Sequence, residues 1–409
     1  MKRWLCLFFC ITLLLLSACG NRQSSQLVSQ SAPPPADGSA MTEDEVRVLT
    51  GFGLELLKNL PNREENPLVS PASVAYALGM TANGAGGQTL AQMEAVLGLP
   101  VAQLNQALSG WKAALPAADD CSLHLANALW LRDDPGLTVQ DSFLQAAARW
   151  YDAAAYKGPF DGSTITEIND WVSRHTKKMI PTILNQLPED AVLCLVNALA
   201  FDAQWKTPYR ETQVRDGRFY PAEGGSVPVD MMYSTEWQYL EDEQATGFIK
   251  PYAGGSCAFV ALMPNVGFSV EYYLETLDAG HLYELLSQPQ REKVDAGLPA
   301  FALEYDTGLA KPLAAMGMTD AFSSKADFSA MGQYAGQPLY ISDVLHKTYI
   351  QVDPQGTKAA AATAVVVAPT AAPAEDTVKE VILDRPFLYF LIDTRTSLPF
   401  FMGIMENPG

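Results

Sequence analysis

Helix signals dominate the first half of the chain. Thr42 and Glu45 form a capping box in front of a segment with helical periodicity, and Ser70 is an N-cap followed by a first-turn proline. Thr89 is expected to cap a third helix, which Gly98 ends. Caps and 3.6-residue periodicity together predict helices over residues 42–60, 72–82, 89–98, 102–113, 142–151 and 166–178.

Short apolar runs bounded by turn residues replace this pattern in the second half. Such runs are typical of buried strands, which are predicted over residues 192–201, 258–263, 340–344, 378–383, 387–392 and 400–405. Helices come first and strands later, without alternation between the two, so the sequence predicts an α+β fold. No repeat or clear linker interrupts residues 41–409, which we interpret as one large domain.

The N-terminal segment is organised differently. Lys2 and Arg3 precede an apolar run that is too short to span a bilayer and is typical of an export signal. The following Leu-Ser-Ala-Cys-Gly resembles a bacterial lipobox, which predicts a lipoprotein signal peptide over 1–18 and lipidation of Cys19. The alternative is an ordinary cleaved signal with an incidental cysteine. Residues 19–40 are rich in Ser, Pro and Gln, so we expect a disordered tether there.

The composition suits an acidic globular domain. Hydrophobic residues make up 48% of the 409 residues and charged residues 18%, which is enough apolar material for a large core. Acidic residues outnumber basic ones by 46 to 27, and loss of Lys2 and Arg3 with the signal leaves a net charge of −21. This charge disfavours nucleic acid, heparin-like polymers and anionic lipid surfaces as partners.

The sequence contains no motif for catalysis or metal binding. Outside the signal and the predicted lipidation site Cys19, the cysteines are Cys121, Cys194 and Cys257, too few for a disulfide framework, and no CxxC occurs. The four histidines are widely spaced and none forms HExxH, so no metal site is predicted. Neither a GxSxG elbow nor a phosphate-binding GxxxxGK(S/T) loop is present. We therefore expect neither an enzyme nor a cofactor.

Residues 356–376 match neither the helical nor the strand pattern. About twenty residues is long for a loop, and loops of that length are usually functional or disordered. Alternate positions in the first half are all small and uncharged: Thr357, Ala359, Ala361, Thr363, Val365 and Val367. A strand whose face must slide beneath a protein surface needs this property. We interpret the stretch as an exposed loop that carries a latent strand; a flexible Ala/Pro/Thr linker is the alternative.

Five motifs resemble those of the serpins, a family of serine protease inhibitors, over residues 41–409. Residues 66–73 are similar to the start of the family's second helix, and residues 197–205 to the strand and tryptophan beside its loop-insertion point. Residues 356–363 are similar to its reactive-loop hinge, and residues 384–390 and 401–408 to the two parts of its C-terminal signature. The resemblance implies a serpin fold of about nine helices around three β-sheets, with an exposed reactive-centre loop. It also implies a protein without catalytic residues, and we expect a monomer.

The mechanism implied by the resemblance is suicide-substrate inhibition. A serine protease attacks the loop and forms an acyl-enzyme; the cleaved hinge then inserts into a large sheet, and the distorted protease cannot deacylate. The residues that match the hinge are Gly356, Thr357, Ala359, Ala360, Ala361, Ala362 and Thr363. The family's shutter and breach, which hold the central strands until they part, match Ser70, Ser73, Asn197, Trp205 and His346.

Three residues near the hinge depart from the inhibitory pattern. Inhibitory serpins usually carry acidic residues just before the hinge glycine, where this chain has Pro354 and Gln355. The lysine that commonly pairs with the first of them is replaced by Ala300, so both halves of that ion pair are missing together. Pro354 is expected to remove a ladder donor and to stiffen the hinge, whereas the alanine run favours inhibition.

The bait residues follow from the spacing that the resemblance implies. Counting from the hinge glycine places the reactive bond at Thr370–Ala371, with Ala368 and Ala372 as open alternatives. Every candidate is small and uncharged, which favours an elastase-like or subtilisin-like protease as the partner. Only Lys112 is basic in the region where heparin-activated serpins keep a basic helix, so no polyanion cofactor is expected.

Two further expectations concern location and the competing function. The lipobox predicts a protein of the bacterial cell envelope, anchored to the membrane through a lipid on Cys19 and facing the extracellular space. The alternative function is that of a non-inhibitory serpin, acting as a binding or carrier lipoprotein.

Overall fold

Nine α-helices occur in the described part of the chain, which comprises residues 24–28, 41–61, 65–115, 121–189, 191–342, 344–357 and 378–409 of this computed structural model. They are α1 (Glu43–Lys58), α2 (Pro71–Ala82), α3 (Gly87–Leu97), α4 (Val101–Ala114), α5 (Asp141–Tyr151), α6 (Gly162–His175), α7 (Val270–Thr276), α8 (Ala279–Ser287) and α9 (Ala310–Ala315). The six helices predicted in the first half are all present, with ends shifted by a few residues.

The helix caps show where the local pattern is sufficient and where it is not. Thr42 caps α1 through the expected capping box. Thr89, expected to cap α3, instead lies within its first turn, because α3 begins at Gly87. The Thr89 hydroxyl accepts the Asp327 N–H at 2.9 Å, and the Gly86 N–H donates to the Asp327 carbonyl at 2.8 Å. A segment far away in the sequence therefore determines where this helix starts.

Twenty strands accompany the helices in the same described ranges. They are β1 (Ser25–Val28), β2 (Leu68–Val69), β3 (Cys121–Arg132), β4 (Leu137–Val139), β5 (Ala154–Gly158), β6 (Leu193–Gln204), β7 (Val214–Phe219), β8 (Val227–Glu236), β9 (Tyr239–Glu241), β10 (Ala245–Pro251), β11 (Cys257–Pro264), β12 (Val294–Pro299), β13 (Phe301–Gly308), β14 (Gly332–Tyr334), β15 (Gln337–Pro338), β16 (Leu345–Val352), β17 (Gly356–Thr357), β18 (Lys379–Ile382), β19 (Phe387–Asp393) and β20 (Leu398–Met405).

Seven of these strands form the central sheet, in the spatial order β1-β5-β3-β6-β17-β16-β13. β6 is antiparallel to β3 and to β17, and β16 is antiparallel to β17 and to β13. Thr357 of β17 and Cys121 of β3 both pair with Ala203, so β17 lies at the end of the sheet where β3 begins. The opposite end holds Arg132, which pairs with Gly158.

β1 adds an unexpected edge strand to this sheet. The expectation of a disordered tether over 19–40 is wrong for this strand and for Ser24. β1 pairs antiparallel with β5, with Ser25 opposite Lys157. The Ser24 N–H donates to the Glu167 carboxylate of α6 at 3.2 Å. The segment is too short and polar for a periodicity signal, and the open backbone edge of β5 supplies its pairing.

The remaining strands form two larger sheets and a small one. Their orders are β2-β20-β19-β11-β10-β9, β18-β12-β8-β7 and β15-β14-β4, so the three predicted sheets are accompanied by a small fourth. The strand predicted over 340–344 is wrong for residues 340–342 and 344, which lie outside any strand, and β16 begins at Leu345. The side chain of Ile341 is buried, and its N–H donates to the Ala321 carbonyl at 2.9 Å. The segment is therefore apolar because it packs against the core, and not because it pairs with another strand.

Both faces of the central sheet are covered at β6. Alternate residues of a strand point to opposite faces. Leu199 and Phe201 belong to the main core, whereas Val196 and Ala198 pack in a smaller cluster with Trp171 of α6. α2 contacts β6 from the main-core side and also reaches β20. A strand that enters this sheet beside β6 is therefore covered on both faces.

Candidate functional site

The first two hinge residues are already part of the central sheet. Gly356 pairs with Gln204 of β6. Thr357 pairs with Ala203 of β6 and with Val352 of β16, and it is only 1% exposed. A Cβ atom on Gly356 would collide with the Ala203 carbonyl oxygen, so the close approach of the two backbones requires glycine. β17 is thus the beginning of a strand between β6 and β16.

A tight turn leads from β16 into β17. The Asp353 carboxylate accepts the N–H of Gln355 at 2.8 Å and that of Gly356 at 3.1 Å. The Asp353 N–H donates to the Gly356 carbonyl at 2.9 Å. Pro354 lies in the turn and not in the ladder, where its fixed φ suits the second turn position. The expectation that it removes a ladder donor is therefore wrong.

Two aromatic residues hold this turn through backbone and indole hydrogen bonds. The Trp205 N–H donates to the Gln355 carbonyl at 2.9 Å, and its indole Nε1–H donates to the Asp353 carbonyl at 2.8 Å. The Tyr209 N–H donates to the Pro354 carbonyl at 2.9 Å. Each carbonyl of the three turn residues therefore has a donor from the segment that follows β6.

Stacked rings complete the environment of the hinge threonine. The rings of Trp205 and Tyr252 are nearly parallel, with centroids 4.6 Å apart, and Phe201 meets Tyr252 edge-on at 5.1 Å. The Tyr252 hydroxyl is hydrogen-bonded to the Thr357 hydroxyl. The buried threonine hydroxyl is thereby satisfied, as a buried polar group must be. Trp205 and the hinge, which the sequence predicted as parts of one site, lie together.

A second polar cluster lies beneath the sheet at the start of α2. The Ser70 N–H donates to His346 Nε2 at 3.0 Å, and the Ser70 hydroxyl donates to the Phe400 carbonyl at 2.8 Å. The same hydroxyl accepts the Ser73 N–H at 3.2 Å, which makes Ser70 the N-cap of α2. The cluster therefore ties α2 to both β16 and β20.

A chain of side chains continues from this cluster across the sheet. The Ser73 hydroxyl donates to Asn197 Oδ1, and Asn197 Nδ2 donates to Asn127 Oδ1 at 2.6 Å. Asn127 Nδ2 in turn donates to the Tyr151 carbonyl at 2.7 Å. The structure thus brings together Ser70, Ser73, Asn197 and His346, the four residues predicted as the polar shutter.

His346 is held in its neutral form. It is almost completely buried, and burial lowers the pKa of its imidazole from 6.5 to about 4. Since Nε2 accepts the Ser70 N–H, the proton of the neutral ring is on Nδ1. Protonation of Nε2 would remove this hydrogen bond and leave a charge in the core.

Sequence reasoning missed several residues of the site. Asn127 is a polar residue inside a strand that was not predicted, and Tyr252 directly follows an apolar strand without any motif of its own. Lys250, which lies behind Trp205, is a charged residue in that same apolar strand. A lysine within an otherwise apolar run was the one signal visible in the sequence, because lysine is seldom buried without a partner.

Part of the predicted site lies outside the described residues. This applies to residues 358–377, which include Ala359, Ala360, Ala361, Ala362, Thr363, Thr370 and Ala371, and to residues 1–23, which include Cys19. The assignments of the reactive bond, the later hinge residues and the lipidation site therefore stay predictions.

The described ranges contain no group of three or more His, Cys, Asp or Glu residues that could hold a metal ion. None of the helices found there combines the length and apolar character needed to cross a bilayer.

Comparisons with known proteins identify the family. The family model described as serpin (serine protease inhibitor) matches residues 47–408. The chain belongs to the serpin family. An uncharacterized serpin-like protein of Thermococcus kodakarensis is 33% identical, with 89% of this chain and 85% of that protein covered. Plasminogen activator inhibitor 1 of Sus scrofa is 30% identical, with 91% and 96% covered.

Solved serpin structures have the same fold. The thermophilic serpin tengpin in its native state matches with a TM-score of 0.87 and 39% identity, with 94% of this chain and 100% of tengpin covered. Tengpin in its latent state matches with a TM-score of 0.81 and 38% identity, with 91% and 100% covered. The predicted serpin fold is confirmed. Serpins are generally inhibitors of serine proteases rather than enzymes.

Proposed function

We propose that this serpin is a suicide-substrate inhibitor of serine proteases with small-residue specificity, of the elastase-like or subtilisin-like kind. The observation that carries the proposal is β17, whose residues Gly356 and Thr357 are already paired between β6 and β16. In the described part of the chain, β6 and β16 form no ladder with each other. A strand that continues from Thr357 can therefore extend β17 without breaking an existing ladder.

The sequence after Thr357 suits such an extension. Both faces of the sheet are covered beside β6, by α2 and the main core on one side and by α6 on the other. Large or charged side chains entering there would overpack the core or lose their hydration. The alternate residues Ala359, Ala361 and Thr363 are small and uncharged, so this face of the inserted strand costs little.

The chemistry is supplied by the target protease. Its serine hydroxyl attacks the carbonyl carbon of Thr370, the peptide bond to Ala371 breaks, and Ala371 leaves with a free amino group while Thr370 is held as an ester. The freed hinge then inserts along β6 and draws the acyl-enzyme towards the Arg132 end of the sheet. This movement pulls on the ester and distorts the active site of the protease. The distorted protease cannot position the water molecule that would hydrolyse the ester.

Charge supports a mechanism without a polyanion. Lys112, the single basic residue over 100–121, is paired with Asp152 at 2.9 Å. No basic surface is therefore formed by the helix that carries it, α4, and the net charge of the chain is strongly negative.

The proposal is tested by mixing the purified protein with a pancreatic-elastase-type protease and analysing the products by denaturing gel and mass spectrometry. A band at the summed mass less that of the released fragment, residues 371–409, with Thr370 or a neighbouring alanine esterified to the protease, supports both the mechanism and the bait. Cleavage without a complex is followed by heating the cleaved protein. A large rise in thermal stability means that the loop inserts and the protease was unsuitable; no rise contradicts the proposal.

A pair of variants tests the specificity. Thr370→Arg is expected to transfer inhibition from elastase-type to trypsin-type proteases, because the residue before the cut then carries the charge that a trypsin pocket binds. Ala374→Arg introduces the same charge four residues later and is expected to be cleaved by trypsin without forming the complex. Equal complex formation by both variants would contradict the assignment of the bond.

The second candidate is a non-inhibitory carrier, which one observation favours. A cavity of about 400 Å³ opens between α1, α4 and α8, with Trp111 and Tyr283 in its walls and Arg395 at its edge. Its volume is at the low end for small-molecule sites. Arg395 is already paired with Asp393 at 2.6 Å, which leaves less of its charge for a ligand. The carrier function gains support only if the cleaved protein shows no rise in thermal stability.

We further propose that the protein is a lipoprotein of the bacterial cell envelope, anchored through Cys19 and facing outwards. The lipobox-like residues 16–20 support this. Metabolic labelling with a radioactive fatty acid is expected to mark the wild type and not the Cys19→Ser variant, and protease shaving of intact cells tests the outward orientation.

A further inference from the structure

A buried ion pair lies behind the aromatic residues that hold the hinge turn. Lys250 Nζ of β10 donates to Glu236 Oε1 of β8 at 2.7 Å, and their side chains are 2% and 9% exposed. The same Glu236 oxygen accepts the Ser234 hydroxyl at 2.6 Å. Burying two charges costs several kcal/mol per ion, which their attraction repays only in good geometry. Each of the two charges therefore depends on close contact with the other.

The ammonium group of Lys250 also contacts two aromatic rings. It lies 4.3 Å from the ring centroid of Tyr209 and 5.3 Å from that of Trp205, within the range of cation–π attraction. Burial lowers the pKa of Lys250, and the neighbouring Glu236 carboxylate opposes this shift by favouring the charged form.

These two rings belong to the residues that hold the hinge turn. Trp205 binds the carbonyls of Asp353 and Gln355, and Tyr209 binds that of Pro354. One continuous set of contacts therefore runs from the buried charge pair through the rings to the residues immediately before β17. Ala300, which stands where the inhibitory pattern has a lysine, carries no charge, and its N–H donates to the Asp230 carbonyl at 2.9 Å.

We infer that Lys250 and Glu236 are positioning residues for loop insertion: by fixing the rings of Trp205 and Tyr209, they keep Gly356 and Thr357 seated between β6 and β16. This inference rests on the proposed inhibitory function, because seating matters only if the strand is then extended. Without the Lys250–Glu236 pair, Gly356 and Thr357 separate from the sheet more often. Insertion after cleavage then starts less often from a β17 that is already paired with β6 and β16. The acylated protease then has more time to escape.

The test separates positioning from stability by removing both charges at once. Replacing a buried pair with apolar residues is often neutral for stability, whereas removing one partner is not. The K250M/E236L double variant is therefore expected to melt close to the wild type and to insert its loop at least fivefold more slowly. The matched control is K58M/E55L, which removes an ion pair of 3.1 Å on α1, far from the hinge, and is expected to insert at the wild-type rate.

Insertion is measured without a serine protease. A thermolysin-type metalloprotease cuts before aliphatic residues such as Val365 and forms no acyl-enzyme, so the cleaved loop inserts without a trapped partner. Tryptophan fluorescence follows the rate, and mass spectrometry gives the cut. K250M/E236Q, which also removes both charges but keeps the shape of residue 236 and an oxygen that accepts the Ser234 hydroxyl, provides a second variant and is expected to be slowed as well. It covers the case in which K250M/E236L does not fold.

Two results would overturn the inference, and they differ in whether the proposed inhibitory function survives. If the wild type inserts and the folded variants insert equally fast, the positioning role fails and the inhibitory function stands. If the wild type gains no thermal stability after cleavage, there is no insertion to position, and both fail together.

Discussion

The hydroxyl groups of Thr357 and Tyr252 are hydrogen-bonded to each other inside the central sheet. Thr357 is nearly fully buried there, so an arginine at this position would lie unpaired in a space built for a small side chain. Under the proposed inhibitory mechanism, we expect Thr357→Arg to be cleaved as a substrate instead of trapping the protease. A denaturing gel with the target protease would show cleaved protein and no complex.

The control for this variant is Gln355→Arg, which adds the same charge at an exposed position of the turn. It is expected to retain complex formation. A Thr357→Arg variant that traps protease as well as the control does would mean that seating of the hinge is not required.

The pKa of His346 predicts a specific pH dependence of stability. Its imidazole has a pKa of about 4 in the folded protein and 6.5 in the unfolded chain. The neutral form is favoured by the fold, so this contribution is fully present above pH 6.5 and is lost as the pH falls towards 4. The loss amounts to about 2 kcal/mol at pH 5. Urea unfolding of the wild type and of His346→Asn, at pH 7.5 and pH 5, measures it.

His346→Asn is expected to be the less stable protein at pH 7.5, because the Ser70 N–H loses its acceptor. The difference between the two proteins should narrow by about 2 kcal/mol at pH 5. Parallel pH profiles would assign the acid sensitivity to other groups.

Asn127 of β3 connects Asn197, and through it the polar cluster around Ser70, to the end of α5 at Tyr151. Asn127→Ala would leave the Tyr151 carbonyl and the Asn197 amide without this partner, at a cost of about 1–3 kcal/mol. We expect a melting temperature several degrees lower, measured by circular dichroism. Asn59→Ala removes one hydrogen bond at the end of α1 and should lower it by much less. Equal effects would show that the buried network adds nothing.

β1 protects an edge of the central sheet. Removal of the chain through residue 28 is expected to expose the backbone of β5 and to cause association that rises with protein concentration. Removal through residue 22 keeps Ser24 and β1 and is the matched control. Size-exclusion chromatography with light scattering distinguishes the two, and a monomeric longer truncation would contradict the protective role.

Some elements could be predicted because their signals are local. The Ser70 cap with its proline starts α2 whatever lies around it, and β6 is apolar at most positions because it is covered on both faces. β3 was missed because Ser122, His124 and Asn127 interrupt its apolar pattern. Asn127 is acceptable there only through partners on other elements, which the local sequence does not reveal.

The hinge site divides in the same way. Its glycine and small residues form a motif that can be identified from the sequence, since close backbone approach requires them. The partners of Lys250 are not identifiable, because Glu236 is fourteen residues away and Tyr209 more than forty. Only the packing of β8, β10 and the segment after β6, which come from different sheets, brings these groups within contact.

The docking of β1 also sets the space available at a membrane. Ser25 pairs with Lys157, next to Arg132, at the end of the sheet opposite Gly356. Cys19 lies six residues before Ser25, a span of at most about 20 Å. With a lipid on Cys19, the bilayer would lie within that distance of the end to which the proposed insertion would carry the protease. A protease of about 200 residues is about 40 Å across, so the proposed trapping would bring a body wider than this span against the bilayer unless β1 separates from β5.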